Sequence, residues 1–314
     1  METFRVWFTR YNNSLMTQTT STRSAYISII FGLLMIGTGP IFVKTIHANG
    51  FLVAFWRLLF AAVILTAVIL VQGKGRIDRV RLKQWRLALV GAVVFTINMT
   101  LWCVALTYVP VANVTLLDNT APVWVGLLGW LFLRKRMGWA FWAGLALALI
   151  GAAVMIGFGD GRGAFLASPG NLIGILCGFT YGIYLLITAR VRERMDSLYY
   201  TWLLACTGVV VLLPVVFFSG RLDQPLPLQS YGLIFLMALS SQVVGWYLIN
   251  HALGHLPTGA AAVTLIGQPI IATTLGALLI SEVPSPIKIL GGAICLAGIV
   301  VVQKYTLTIP DAGA

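Results

Sequence analysis

"ALTYVP", residues 105–110, returns 147 residues later as "ALGHLP", residues 252–257. The same offset carries Pro122 to Pro269, Leu128-Gly129 to Leu275-Gly276, Leu131 to Leu278, Gly144 to Gly291 and Gly151 to Gly298, without a gap. Both landmark prolines keep their spacing in the two copies. The chain is therefore read as two copies of one unit, and what lies between the landmarks gives that unit its character.

That character is apolar. The 314 residues are 59% hydrophobic and only 10% charged, where a soluble domain carries about 25% charged residues. Runs such as 51–71, 85–108 and 230–250 approach the ~20 residues that cross a bilayer as helix. Apolar runs bounded by turn signals give ten spans, at 24–46, 51–71, 85–108, 110–133, 138–157, 171–190, 197–219, 230–252, 258–280 and 286–304. Each copy holds five. An odd number forces the second copy to enter the membrane upside down, and charge tests this independently. With the N-terminus in the cytoplasm, 16 Lys and Arg fall inside, among them Lys74, Arg134, Arg192 and Lys304, against Lys44, Arg162, Arg221 and Lys288 outside. The positive-inside rule favours that orientation. The same placement, in short loops between apolar runs, gives the net charge of +12 a topological meaning and removes nucleic acid as a partner.

The predicted fold class is an all-α membrane protein, ten transmembrane helices arranged as two inverted five-helix repeats around a central cavity. Residues 1–23 form a cytoplasmic tail, 24–157 the first repeat, 171–304 the second and 305–314 a C-terminal tail. The run from Ala25 is too long for the core of a cleaved signal, so the chain is expected to be multi-pass in a bacterial inner membrane, both termini cytoplasmic. Inverted halves can exchange shapes about a site at mid-depth, opening first to one side and then to the other. This points to a transporter of a small molecule rather than an enzyme. No nucleophile–base pair, metal cluster or phosphate loop stands out, and no cofactor is expected. Cys103, Cys177, Cys206 and Cys295 lie inside apolar runs and read as small packing residues. His251 and His255 stand at i, i+4 but have no third ligand nearby, so a helix end is the simpler reading. "GDGRG", 159–163, reads as an outside turn.

Further motifs make the resemblance specific. "FVK" closes the first span at Phe42–Lys44, "FWRLLFAA" occupies 55–62, and the two "AL…P" copies lie as above. With the 5+5 spans, the chain resembles the EamA-type transporters of the drug/metabolite transporter superfamily over about residues 25–304. The resemblance implies export of amino acids and other small metabolites. It also implies a basket of spans one, three, four, six, eight and nine around a cavity, with spans five and ten outside it. The family commonly has a glutamate after the fourth span of each copy. Here the second copy keeps it as Glu282 and the first has Lys135; the position lies in a loop and is not assigned transport chemistry. Multidrug export of organic cations is the alternative, set back because the small exporters of that kind use a span-one glutamate and residues 24–46 hold no carboxylate. A membrane-embedded enzyme or lipid scramblase is the alternative of another class.

Two charged residues fall deep inside spans, Arg57 and Asp118. A charge at the bilayer centre costs at least about 2.5–3.5 kcal/mol, so such residues face a cavity or a partner. Thr115, Asp118, Asn119 and Pro122 follow i, i+3, i+4, i+7 and Gly126 continues the line, one polar stripe that should face inward. Leu116, Leu117, Val123 and Trp124 lie off it. The counterpart of Asp118 in the second copy is Leu265, so the fold itself does not require a carboxylate there. Asp118 reads as a substrate or proton site, or as the partner of Arg57 in an ion pair; Arg57 reads as that partner, as part of a shared substrate or coupling site, or as a structural arginine. Other polar and aromatic stripes carry Asn98 and Trp102 in span three, Tyr181, Tyr184 and Thr188 in span six, and Gln242, Trp246 and Asn250 in span eight, with Gln268 before the span-nine proline. Each serves either ligand contact or interhelical bonding. Gly37, Gly39 and Pro40 of "GTGP", with Pro122 and Pro269, read as hinges or kinks. Gly144, Ala148 and Gly151, with Gly291, Cys295 and Gly298, read as close helix contact. Tyr199 and Tyr200 read as interfacial anchors.

Overall fold

The structure, a computed structural model, describes residues 22–46, 48–72, 82–133, 138–156, 168–220, 226–255, 265 and 267–308. "RKRM", "GDGRG", the basic 73–81 loop and the end of "ALGHLP" lie outside those residues. The described chain is helical: α1 Thr22–Gly37, α2 Gly39–Ile46, α3 Gly50–Gln72, α4 Leu82–Tyr108, α5 Val111–Asp118, α6 Ala121–Leu133, α7 Trp139–Ile156, α8 Pro169–Arg192, α9 Ser197–Phe218, α10 Leu228–Met237, a π-helix Ala238–Gly245, α11 Trp246–Leu253, α12 Gly267–Ile280 and α13 Pro286–Thr308. Among the described residues, six stretches are long and apolar enough to cross a membrane: Ser24–Ile46, Gly50–Gln72, Trp85–Tyr108, Pro169–Arg192, Ser197–Phe218 and Leu228–Leu253. Trp139–Gly151, Ile270–Ile280 and Pro286–Val301 are shorter apolar helices. Large apolar side chains such as Leu34, Val63, Val90, Val210, Leu236 and Leu279 are exposed on the outer faces, as suits a surface solvated by lipid. The chain is a multi-pass membrane protein.

Among the described residues three spans are not continuous α-helices. The predicted helix over 110–133 breaks at Asn119–Thr120. Pro122 brings no N–H to bond the carbonyl of Asp118, four residues back. Asn119 Nδ2 donates to the Thr115 carbonyl at 2.8 Å and Thr120 Oγ1 to that of Leu117 at 2.6 Å, so side chains bond to carbonyls at the break. Thr115, Asp118 and Asn119 of the polar stripe are buried as predicted, but so are Leu116 and Leu117, because nearly all of α5 is enclosed. In "GTGP", α1 gives way to α2 at Thr38, whose hydroxyl donates to the Met35 carbonyl at 2.7 Å. The π-helix in span eight has no counterpart in the sequence reading. Its wider turn is rare and recurs at functional sites.

Helix contacts repeat under the 147-residue offset. α4 lies against α8, and the π-helix and α11 against α1; α6 lies against α8, and α12 against α1. α7 and α13, the fifth and tenth runs, lie side by side. A Cβ on Gly151 would strike the Cys295 backbone and come within 2.7 Å of the Gly291 carbonyl oxygen; one on Gly298 would strike the Ala148 backbone and come within 2.7 Å of the Gly144 oxygen. The contact is reciprocal and antiparallel. Small residues thus do here what the sequence predicts, bringing two backbones together.

One end of the bundle gathers Lys44, Val111 and Glu282, with Gly170 against Tyr108 and Val109. The other gathers Arg192, Met195 and Asn250. α2 therefore runs toward the first end and α8 away from it. Overpacking a filled contact costs about 1–3 kcal/mol. Gly151→Leu and Gly298→Leu are each expected to lower the melting temperature in detergent. Gly276→Ala is not, since a Cβ there meets nothing within 4 Å.

Candidate functional site

A small cavity of about 20 Å³ lies among the helices, room for about one water. Ile36 of α1, Arg57 of α3, Asn98, Met99 and Trp102 of α4, and Asp118 at the end of α5 come from the first copy; Tyr181 of α8, Ser241 of the π-helix, Trp246 of α11 and Gln268 of α12 come from the second. The implied basket holds, with one addition: span two enters through Arg57. α7 and α13 contribute no lining residue.

Arg57 is 1% exposed. One terminal nitrogen, Nη2, donates to Ser241 Oγ at 2.9 Å. Its Nε and Nη1 meet no hydrogen-bond partner, and the Cys103 thiol beside it is a poor acceptor. The Trp102 ring, its centroid 5.8 Å from Cζ, offers a π face instead. Gly39 permits this arrangement, because a Cβ there would come within 3.2–3.3 Å of Ser241 and Trp102.

Asp118 sits where α5 stops at the helix break. Its Oδ1 accepts from Asn98 Nδ2 at 3.1 Å; the same nitrogen reaches the Cys177 carbonyl at 3.0 Å and Thr180 Oγ1 at 3.3 Å. Asn98 thus joins α4, α5 and α8. Arg57 and Asp118 share the cavity but form no ion pair; each is engaged with a neutral side chain.

An aromatic wall stands beside them. Trp246 meets Phe95, Tyr184 and Tyr181 edge to face, at 4.9, 5.6 and 6.1 Å between centroids. Tyr181 stacks on Tyr184 at 6.1 Å. The two tyrosines differ in one respect. The Tyr181 hydroxyl is buried without a partner. Tyr184 donates to Asn250 Oδ1 at 2.9 Å, and Asn250 Nδ2 donates to Thr201 Oγ1 at 3.1 Å. Nearby, Arg192 Nε donates to the Asn250 carbonyl at 2.8 Å and its Nη1 to that of Met195.

The predicted residues therefore divide. Asp118, Arg57, Asn98, Trp102, Tyr181, Trp246 and Gln268 line the cavity together. Thr115 and Asn119 do not: Thr115 Oγ1 donates to the Val111 carbonyl at 2.8 Å, and Asn119 Nδ2 donates to the Thr115 carbonyl at 2.8 Å and, behind the lining, to Gln268 Oε1 at 3.4 Å. Tyr184 belongs to the Asn250 network. Gln242 is fully buried outside the lining, its amide unpartnered. Tyr200 is not an interfacial anchor but a core residue, its hydroxyl 3.0 Å from Thr188 Oγ1. Of the proposed hinges, Gly37 and Gly39 flank the break in span one, and Pro40 opens α2; Pro122 opens α6 and Pro269 lies in the first turn of α12. Sequence reasoning missed Ser241, since "LSSQVVG" gives no sign of the π-helix that turns Ser241 toward Arg57.

A family model for EamA-like transporters matches the chain twice, over residues 23–157 and 168–303. The chain belongs to the EamA-like transporter family. A probable terminal-alkyne amino-acid exporter of Streptantibioticus cattleyicolor is 28% identical over 200 residues, 64% of this chain and 66% of that one. An uncharacterized transporter of Bacillus subtilis, YdfC, is 25% identical over 59% of this chain and 60% of its own length. The match thus spans somewhat under two thirds of these relatives. An uncharacterized transporter of Archaeoglobus fulgidus is 24% identical over 88% of this chain and 95% of its own. A solved crystal structure, 16% identical, shares the fold with a TM-score of 0.62, covering 89% of this chain and 96% of that one.

In this EamA-like transporter the two stacked tyrosines should respond differently to loss of the hydroxyl. Tyr184→Phe strands the buried Asn250 oxygen, a cost of about 1–3 kcal/mol, and is expected to lower the melting temperature. Tyr181→Phe removes a hydroxyl that bonds nothing and is expected to leave it unchanged or raised.

Proposed function

We propose that this EamA-family protein is an inner-membrane secondary transporter that exports small metabolites, amino acids foremost, by alternating access. Ten transmembrane spans form two inverted five-helix repeats, residues 24–157 and 171–304. The reading rests above all on the buried cavity residues, contributed by both copies and including an arginine and an aspartate that are not paired with each other. The reciprocal, antiparallel contact of α7 with α13 supports the inversion. It is what a two-fold axis perpendicular to the helices produces, and inverted repeats are built on such an axis in the membrane plane. The name of the Streptantibioticus relative supports amino acids as the substrate class.

Each end of the bundle is tied. At the end taken as outer, Glu282 Oε1 lies 3.5 Å from Lys44 Nζ, and its Oε2 accepts the Val111 N–H at 2.9 Å. That N–H belongs to the first turn of α5, where free donors and the helix dipole favour a carboxylate. The glutamate that the sequence leaves in a loop thus bridges the two copies. Its side chain and that of Lys44 are a quarter exposed, and such pairs contribute about 0–1 kcal/mol, weak enough for a closure that must reopen in each cycle. At the other end Arg192 and Asn250 hold α8 to α11.

A second reading, export of organic cations, draws on the aromatic wall and Asp118. The unpartnered Arg57 in the same cavity weighs against it.

Counterflow in proteoliposomes with labelled aromatic, branched and hydroxy amino acids tests the proposal. Wild type should exchange at least one of them. Asp118→Asn should keep exchange and lose the response to an imposed pH gradient if Asp118 carries the coupling proton; loss of exchange in folded protein would make it a binding or gating residue instead. Exchange of nucleosides or organic cations alone would remove the amino-acid assignment. Glu282→Ala is expected to raise, several-fold, the labelling of Met99→Cys by an impermeant thiol reagent added from outside. Unchanged labelling would remove the latch.

A further inference from the structure

The unequal partnering of the two buried charges points to the form of the ligand. Arg57 keeps Nε and Nη1 without acceptors and gives only Nη2 to a serine hydroxyl. Asp118 takes one amide donor at Oδ1 and forms no hydrogen bond at Oδ2 among the described residues. Both face the same cavity. Charges buried in apolar surroundings ordinarily pair with each other or are fully hydrogen-bonded. Here each is left with capacity to spare, and neither uses the other.

We infer that the cavity is built for a small zwitterion, whose carboxylate binds Arg57 and whose ammonium binds Asp118. This rests on the transporter reading above and gives its site a polarity. A carboxylate that joins or displaces Ser241 at Nη2 completes a two-bond fork with a neighbouring open nitrogen, the strong arrangement for guanidinium and carboxylate. An ammonium, with three donors and no acceptor, suits Oδ2 of Asp118 and the unpartnered Tyr181 oxygen. The faces of Trp102 and Trp246 remain for the ligand's apolar body. A cation would gain Asp118 but leave Arg57 buried and open; an anion would do the reverse. Only a ligand carrying both charges satisfies both poles, and it adds no net charge to the closed state. Ser241 is a positioning residue in this scheme, since it holds the guanidinium toward the cavity while the ligand is absent.

The test separates the two poles chemically. L-Phenylalanine, L-leucine and L-propargylglycine, each with its methyl ester and its N-acetyl derivative, are titrated against the purified full chain by tryptophan fluorescence and thermal shift. Wild type should bind at least one parent amino acid tenfold or more tighter than either blocked form. Asp118→Asn should bring the N-acetyl derivative within about threefold of its parent while the ester stays weak. Arg57→Gln should do the converse. The comparison within wild type stands even if a variant fails to fold. An ester that binds as tightly as its parent overturns the inference, as do folded variants that weaken all three forms equally. If no zwitterion binds while tetraphenylphosphonium binds and undergoes counterflow, the zwitterion site falls and the transporter reading stands. If no compound in either panel undergoes counterflow, the transporter reading falls with it.

Discussion

The Asn98 amide joins three helices at one nitrogen, and the site depends on that junction. Within lipid a polar group has no water to turn to, so each must find a partner in the protein. Asn98 meets Asp118, the Cys177 carbonyl and Thr180, binding the third and fourth spans of one copy to the sixth span of the other. The same requirement shapes the helix breaks. Where α5 stops and where α1 gives way to α2, Asn119, Thr120 and Thr38 bond to carbonyls of the preceding turn. The bundle can therefore interrupt its helices beside the cavity without leaving those carbonyls to the hydrocarbon.

Against that background the unpartnered atoms carry meaning. Arg57 and Tyr181 keep polar atoms without bonds, and both line the cavity, whereas Tyr184, Thr201 and Asn250, one turn or more away, are knit together. Satisfied groups specify how helices meet; the unsatisfied atoms of Arg57 and Tyr181 lie where the ligand is proposed to sit. Gln242 and the Asn113 Oδ1 are exceptions, buried and unbonded outside the lining. Gln242 lies in the π-helix, whose register differs by one residue per turn from that of the helices on either side.

Much of this was legible in the sequence because lipid simplifies the code. Apolar run length and the 147-residue repeat mark out the helices, and the small-residue positions in the fifth and tenth runs find each other as the pattern requires. Asp118 and Arg57 stand out because a charge in a span is costly wherever it falls. What could not be read was local. Periodicity placed Thr115 and Asn119 on the same face as Asp118, but a hydroxyl or amide near a helix break bonds first to its own backbone. Tyr181 and Tyr184 share a stripe, and only the neighbouring helix decides which of them meets Asn250. Ser241 needed the π-helix, which no spacing rule announces. Tyr200 was assigned to the interface by its position near a span end, yet it is buried against Thr188.

The seam between α7 and α13 has a mechanical consequence. Gly151 meets Cys295 and Gly298 meets Ala148, so exchanging the roles of the two copies turns one contact into the other and leaves the pair as it was. A joint on an axis of symmetry can serve as a fixed bearing while the parts around it trade places. The cavity has no such invariance. Position 118 carries an aspartate and its counterpart 265 a leucine, so the same exchange would turn a charged wall into an apolar one. The chain thus combines a frame that is indifferent to direction with a cavity that is not. Under the proposed alternating access, the two end states are of similar shape and unequal energy, and the inequality resides in the side chains rather than in the fold.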